Sequence, residues 1–366
     1  MSPHHQAWKP PFCPNPNCKY HHGLHHQWPY KKIGFARRLH PPKRNQRYLC
    51  LHCRRSFSGQ TFSPTYWLKR PDLLPRILLA TVACSGNRQI ARSLDVAPPT
   101  VDRHVARLGR HCMLLHLSLW KQAPPTGPLL IDGFESFEFS QYFPFQHQVA
   151  VEAQTGFFSY FTDTELRRKG RMNTEQKRRR RDLERRLGTP PPGALRRDVT
   201  ELLQVTLAGT ETAVVRSDDH PAYPRALAAI ACRIRHEVTP GKQHRDSRND
   251  LFEVNLLDGW IRHSSANHKR ETIAYSKRRQ ASAERLAILL VHRNYMRSRR
   301  ERSRDGPTPG MLCGLVDHRL SVGEVLQTRR FASRIELPPR WRQYYRREIR
   351  TRALAVNRRH DLKYAF

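Results

Sequence analysis

Acidic side chains are the scarce component of this 366-residue chain: 31 Asp and Glu stand against 66 Lys and Arg, which leaves a net charge of +35 at pH 7. The positive excess runs through the whole length rather than one tail, so a polyanionic partner follows most naturally. Long hydrophobic runs are also missing. The purely aliphatic run in the basic C-terminal half is LAILLV, far below the roughly 20 residues a bilayer-spanning helix needs, and membrane insertion is excluded on that ground. The opening MSPHHQAWKPPFCPNPNC lacks the unbroken apolar stretch of a signal peptide. The expected location is therefore a reducing compartment, the cytoplasm, with DNA or RNA at hand. Core-forming material is not lacking: 38% of the residues are hydrophobic, enough for two or three domains.

Cysteine is uneven rather than abundant. Four of the eight fall within the first 53 residues and the others stand alone at 84, 112, 232 and 313. That spread argues against a disulfide framework, and the solitary four read as reduced thiols. The clustered four form two knuckles, CPNPNC with Cys13 and Cys18, and CLHC with Cys50 and Cys53. Two tight turns that each present two thiolates supply the four soft ligands of tetrahedral zinc, and the 31 residues between Cys18 and Cys50 leave room for a β-hairpin. Residues 1–66 are thus expected to be a zinc ribbon holding one structural Zn2+, which folds a segment too short to bury enough apolar area alone. His21, His22, His25 and His26 lie in the interval as alternative ligands or as solvent-facing side chains.

Residues 67–122 change to helical periodicity. In RQIARSLDVAPPTVDRHVARL, Ile90, Ala91 and Leu94 form the inner side of one short helix. DVA makes a turn, and Pro99 opens a second helix with Val101, Val105 and Leu108 inward. The spacing fits a helix-turn-helix. Two short helices joined by a turn also occur in proteins that never meet DNA, but beside a ribbon at this charge the DNA-binding form is favoured. In it, Thr100, Arg103, His104 and Arg107 face base edges and Arg88 meets a phosphate.

A run of prolines, KQAPPTGP, sets a domain boundary near residue 126. LLIDGFESFEF and HQVAVEAQTGFFSYFTDT then read as a β-meander over 129–163. Residues 165–203 interrupt it with two basic helices around GTPPPG and carry 13 Lys/Arg against 6 Asp/Glu, either as a solvated insertion or as a phosphate grip. ETAVVRSDD supplies a further strand. Asp132 and Asp218 each end an apolar strand, and two such carboxylates at one sheet edge repel unless a cation lies between them; hard oxygen ligands select Mg2+ or Mn2+. LFEVNLLDGWIRHSSANHKRETIAYSKRRQASAERLAILLVHRNYM reads as helix, with Leu256, Leu257, Ile261, Leu286, Leu289 and Leu290 inward. Asn255, Asp258 and Arg262 share one of its faces. Asp258 is the first choice for a third acid; Glu253 and Glu271 are the alternatives. In the basic C-terminal region, 301–366, Trp341, Tyr344 and Tyr345 interleave with arginines, which suits either unpaired bases or a helix packing its aromatic face on the core.

Taken together, CPNPNC and CLHC, LLIDGFESF, SDDHPAY and NLLDGWIRHSSANHKRETIAYSKR resemble the insertion-sequence transposases of the DDE type. The resemblance covers nearly the whole chain. It implies an α/β fold: a ribonuclease H-like mixed sheet with flanking helices over 126–300, preceded by the zinc ribbon and the all-α helix-turn-helix module. It makes Asp132 and Asp218 the first two catalytic acids and leaves Asp219 as a neighbour turned outward, capping the following helix. The usual third glutamate is not matched cleanly, since NLLD stands where a glutamate followed by asparagine three positions on is expected; Asp258 takes the place, with Glu253 as runner-up. Two Mg2+ ions at Asp132, Asp218 and Asp258, about 4 Å apart, would support strand cleavage and then attack of the freed 3′-OH on target DNA. Implied partners are double-stranded DNA, both terminal repeats and target, and at least one further copy of the chain. The rival readings are a zinc-ribbon and helix-turn-helix transcriptional regulator, which has no need of the acids, and a ribonuclease H-like nuclease that cuts without joining.

Overall fold

The structure, a computed structural model, describes residues 8–23, 27–41, 43–269, 272–303 and 305–356. At the N-terminus, β1 (Tyr30–Arg37), β2 (Arg44–Cys50) and β3 (Ser56–Ser58) form a small antiparallel sheet in that order. Gly34, at φ +92, takes up a register irregularity between Lys32 and Phe35 that an L side chain would strain. The sheet folds over a core of Cys13, Cys18, Trp28, Tyr48, Cys50, Phe57 and Phe62, and the ring that completes it, Phe331, comes from the other end of the chain. A three-stranded sheet and the four clustered cysteines lie in the segment expected to form the ribbon, but their core takes in a ring from outside residues 1–66.

Three helices follow: α1 (Leu73–Val82), α2 (Asn87–Ser93) and α3 (Pro98–Trp120). Asp95 bends the chain at φ +50 between α2 and α3. Pro98 and Pro99 occupy the first turn of α3, where a missing N–H is harmless. The anticipated short helix continues for 23 residues, and from His111 to Leu117 every side chain is buried. Gly109 lets α3 lie directly on α8 (Arg279–Val291): a Cβ there would sit 2.5 Å from the Glu284 carbonyl oxygen. The boundary near 126 is a linker in the chain, with Lys121 and Gln122 both at positive φ, yet it separates no cores: Met113, Leu129 and Leu289 belong to one hydrophobic cluster.

The main sheet has the order β6-β5-β4-β7-β8. The meander of β4 (Leu129–Phe137), β5 (Pro144–Glu152) and β6 (Phe158–Glu165) is antiparallel, as expected. β7 (Thr212–Asp218) and β8 (Arg233–Thr239) add in parallel. β7 pairs with β4 only through Leu129↔Val215 and Leu130↔Arg216. Two residues further along each strand, past the last paired rung, stand Asp132 and Asp218.

Of the two helices between β6 and β7, only α4 (Thr174–Leu187) is an added basic element, with no buried residue. α5 (Ala194–Thr206) was expected as part of the insertion; instead Val199, Leu202 and Leu203 are fully buried in the main core and Asp198 accepts from Thr164 of β6. The helical stretch expected from 251 is likewise broken. α7 (Phe252–Ser264) ends, the described residues between 265 and 278 form no helix, and α8 starts at Arg279. Leu256, expected inward, is 46% exposed. α6 (Ala222–Leu227), α9 (Pro309–Leu312), α10 (Val322–Val325) and α11 (Pro339–Arg346) complete the fold. The aromatic face of α11 is core: Trp341 and Tyr344 are fully buried, and Trp341 Nε1 donates to the Phe161 carbonyl at 2.9 Å. Among the described residues no helix is long and apolar enough to cross a membrane.

Candidate active site

Asp132, Asp218 and Asp258 line one cleft of about 1460 Å³. β4 and β7 deliver the first two at the mouth where the strands part, and α7 brings the third across the sheet. Asp132 Oδ1 accepts the Gly133 N–H at 2.6 Å. Its pKa is pushed up to about 6, first by burial and then by the charges of Asp218 and Asp258, against the lowering effect of that N–H and of Arg245. Asp258 Oδ2 accepts from Arg262 Nε at 3.2 Å, while its Oδ1 is buried without a hydrogen-bond partner. Arg262 also donates to the carbonyls of His268 and Glu135, so one guanidinium fixes the acid to the two segments beside it. The three carboxylates, one of them with an orphaned buried oxygen, are hard oxygen donors of the kind a divalent cation takes, although among the described residues only the four cysteines lie close enough together to hold an ion as they stand. Around them Arg167, Arg168, Lys169, Arg196, Arg225, Arg245 and Lys269 make the walls basic.

The remaining acids separate cleanly. Glu253, the runner-up, sits on a different face of α7, accepts from Arg299 at 2.6 Å and lies beside the Gly156 turn, so it does not join the cleft. Glu271 falls outside the described residues. Asp219 is exposed and directed at Gly241; it caps nothing, and α6 has no side-chain cap at all. The local bond is made by Asp218, whose Oδ1 accepts the His220 N–H at 3.0 Å. Tyr223, five residues on, lines the same cleft. It was not singled out from the sequence, although SDDHPAY contains it.

Fewer of the residues expected to face DNA are exposed than the sequence anticipates. Arg88 and Arg103 are exposed and Thr100 is half-buried. His104 is buried, its two ring nitrogens against the carbonyls of Thr100 and Arg70. Arg107 donates to the carbonyls of Pro64 and Tyr66, and burial lowers its pKa to about 10. Neither side chain is free to meet a base edge.

In the ribbon, the Sγ atoms of Cys13, Cys18, Cys50 and Cys53 all lie within 4.8 Å of one another. The Cys13–Cys53 and Cys18–Cys50 separations are 3.6 and 3.9 Å, and a tetrahedron with Zn–S bonds of about 2.3 Å has edges of about 3.8 Å. A structural metal such as zinc fits. Trp28 Nε1 donates to Cys50 Sγ at 3.2 Å, an outer bond of the kind that orients a thiolate ligand. His21 does not replace a thiolate: its Nδ1 meets the Cys13 carbonyl at 2.7 Å and its Nε2 the Ser333 hydroxyl at 2.8 Å. His22 is exposed, and His25 and His26 lie outside the described residues.

No family model and no curated protein matches the chain. One solved structure, a simian T-cell lymphotropic virus intasome in complex with PP2A regulatory subunit B56 gamma, is similar over 52% of this chain and 54% of that one, at 16% identity and a TM-score of 0.26. The chain thus spans about half the length of the chain it matches.

Proposed function

We propose that the protein is a DDE-type insertion-sequence transposase with three catalytic aspartates, which binds its element's terminal repeats and carries out metal-dependent strand cleavage and strand transfer. The observation that carries this reading is the convergence of Asp132, Asp218 and Asp258, from two strands and a helix far apart in sequence, in one cleft with basic walls. The mixed sheet, with its antiparallel meander and two parallel strands, suits a ribonuclease H-like catalytic unit. The three aspartates would hold Mg2+ or Mn2+, which would supply activation of the attacking oxygen and neutralisation of charge on the leaving one. Arg262 keeps Asp258 in place, and the basic walls hold DNA phosphates without reading sequence. Arg88, Thr100 and Arg103 contact the terminal repeat, the zinc-bound ribbon supports them, and a second copy of the chain pairs the other DNA end.

A regulator built on the same N-terminal modules has no use for three aspartates brought to one cleft. The test is a supercoiled plasmid carrying the DNA that flanks this gene, incubated with the protein and Mg2+ or Mn2+, with nicks and joined products mapped by sequencing. The parent should cut and join; Asp218→Asn should lose cleavage by at least about 10³-fold, and Asp219→Asn should stay within about threefold. Retained cutting by Asp218→Asn would sink the site. Cutting without joined products would make the protein a nuclease.

A further inference from the structure

Among the described residues at the acid cluster, Tyr223 has a side-chain oxygen with no hydrogen-bond partner, and unlike the orphaned Asp258 Oδ1 it is a donor. The hydrogen bond from the His220 N–H to Asp218, followed by Pro221, turns the chain from β7 straight into α6 and points Tyr223 back at the sheet. Its ring is only 2% exposed and meets His220 edge-on at 5.9 Å. The phenol lines the cleft with Asp132, Asp218 and Asp258. No hydrogen bond to it occurs among the described residues, and its oxygen is not one of the fully buried unpartnered atoms, so it opens on the cleft. Burial first, then the charges of Asp132 and Asp218, holds its pKa well above 10, so at neutral pH it is a proton donor. A buried tyrosine normally satisfies its hydroxyl within the protein, and packing alone would be served as well by phenylalanine. A donor directed into a basic cleft beside three carboxylates is placed for an anionic oxygen that arrives with the ligand.

We propose that Tyr223 is a further catalytic residue, whose O–H donates a hydrogen bond to a non-bridging oxygen of the scissile phosphate. This rests on the phosphodiester-cleaving reading of the acid cluster. In the step it serves, a water oxygen bonds to phosphorus, the bond from phosphorus to the 3′ oxygen breaks, the water gives up a proton and the 3′ oxygen gains one. Tyr223 keeps its own proton throughout and stabilises negative charge that grows on the phosphoryl oxygen in the transition state.

Tyr223→Phe keeps the ring and deletes the donor. On the flanking-DNA plasmid it should cut about 10²-fold more slowly than the parent. Its affinity for the same DNA in Ca2+ should change by less than about twofold, and its Tm should stay within about 2 °C of the parent. On a duplex with a single phosphorothioate at the mapped cleavage position, the penalty should shrink for one sulfur diastereomer and persist for the other, because sulfur is the poorer acceptor. The role of Tyr223 is overturned, and the acid-cluster reading left standing, if Asp218→Asn is inactive while Tyr223→Phe matches the parent. The same holds if Tyr223→Phe loses cleavage only in proportion to a loss of affinity or Tm, or if its penalty is equal in both diastereomers. A parent that cuts nothing, or an Asp218→Asn variant that still cuts, overturns both.

Discussion

Asp132 holds a charge where the fold by itself does not favour one. With no cation present its carboxyl is pushed up to about 6, chiefly by burial. A carboxyl raised in the folded state contributes its stability below the unfolded value near 3.9 and loses it as the pH climbs through about 6. The loss is on the order of 2–3 kcal/mol by pH 7.5. Asp132→Asn should therefore match the parent in metal-free melting at pH 4 and exceed it at pH 7.5, while losing cleavage; a stability difference that does not grow with pH would refute the account. That Asp132 and Asp218 come to one cleft was legible in sequence because each follows an apolar run and parallel strands put such positions at one edge, although Asp132 lies inside β4, which continues to Phe137. His104 and Arg107 misled, since the spacing of Val101, Val105 and Leu108 marks the inner face of a helix but not its flanks. What covers those flanks, the carbonyls of Pro64, Tyr66 and Arg70, comes from irregular chain that no periodicity announces. The orphaned phenol of Tyr223 is visible only once its neighbours are known.

At the scale of elements, α3 does two jobs. Its first turns carry the half-buried Thr100 and the exposed Arg103, and its second half is buried on α8, where Gly109 faces the Glu284 backbone. Gly109→Ala should cost about 1–3 kcal/mol in urea unfolding, because the methyl meets a carbonyl oxygen that cannot move without shifting α8. A change below about 0.5 kcal/mol would show that the helices part easily. The contact also explains why a proline-rich linker was read as a domain boundary: composition reports where chain is irregular, not whether two cores have merged across it. α5 was misread for a related reason. Arginines in its first turn continue the basic run of α4, and they mask the Val199, Leu202 and Leu203 stripe that belongs to the sheet.

For the whole molecule, the N-terminal helices and the acid-bearing part are braced together. The Cys84 N–H, in the loop between α1 and α2, donates to the Ser264 carbonyl at the end of α7, and Arg285 of α8 donates to the Ser85 carbonyl. The ribbon is tied in from the opposite direction: the Arg329 N–H donates to the Phe62 carbonyl, Phe331 enters the ribbon core, and Ser333 meets His21. Stripping the metal with a strong chelator should accordingly speed hydrogen exchange not only in residues 13–53 but also in 329–335, by about tenfold or more, with β4 to β6 unchanged. Exchange confined to the N-terminal segment would show that the strap holds without the ribbon. The four cysteines announced the metal site from sequence; the strap did not show, because nothing in FASRIELPP distinguishes a ring bound for a distant core from one bound for its own helix. Since Phe331 fills the ribbon's interior, a ribosome has to translate through residue 331 before the ribbon's core can close. A chain cut short by a premature stop in its last segment would carry all three aspartates and still lack a finished N-terminal ribbon.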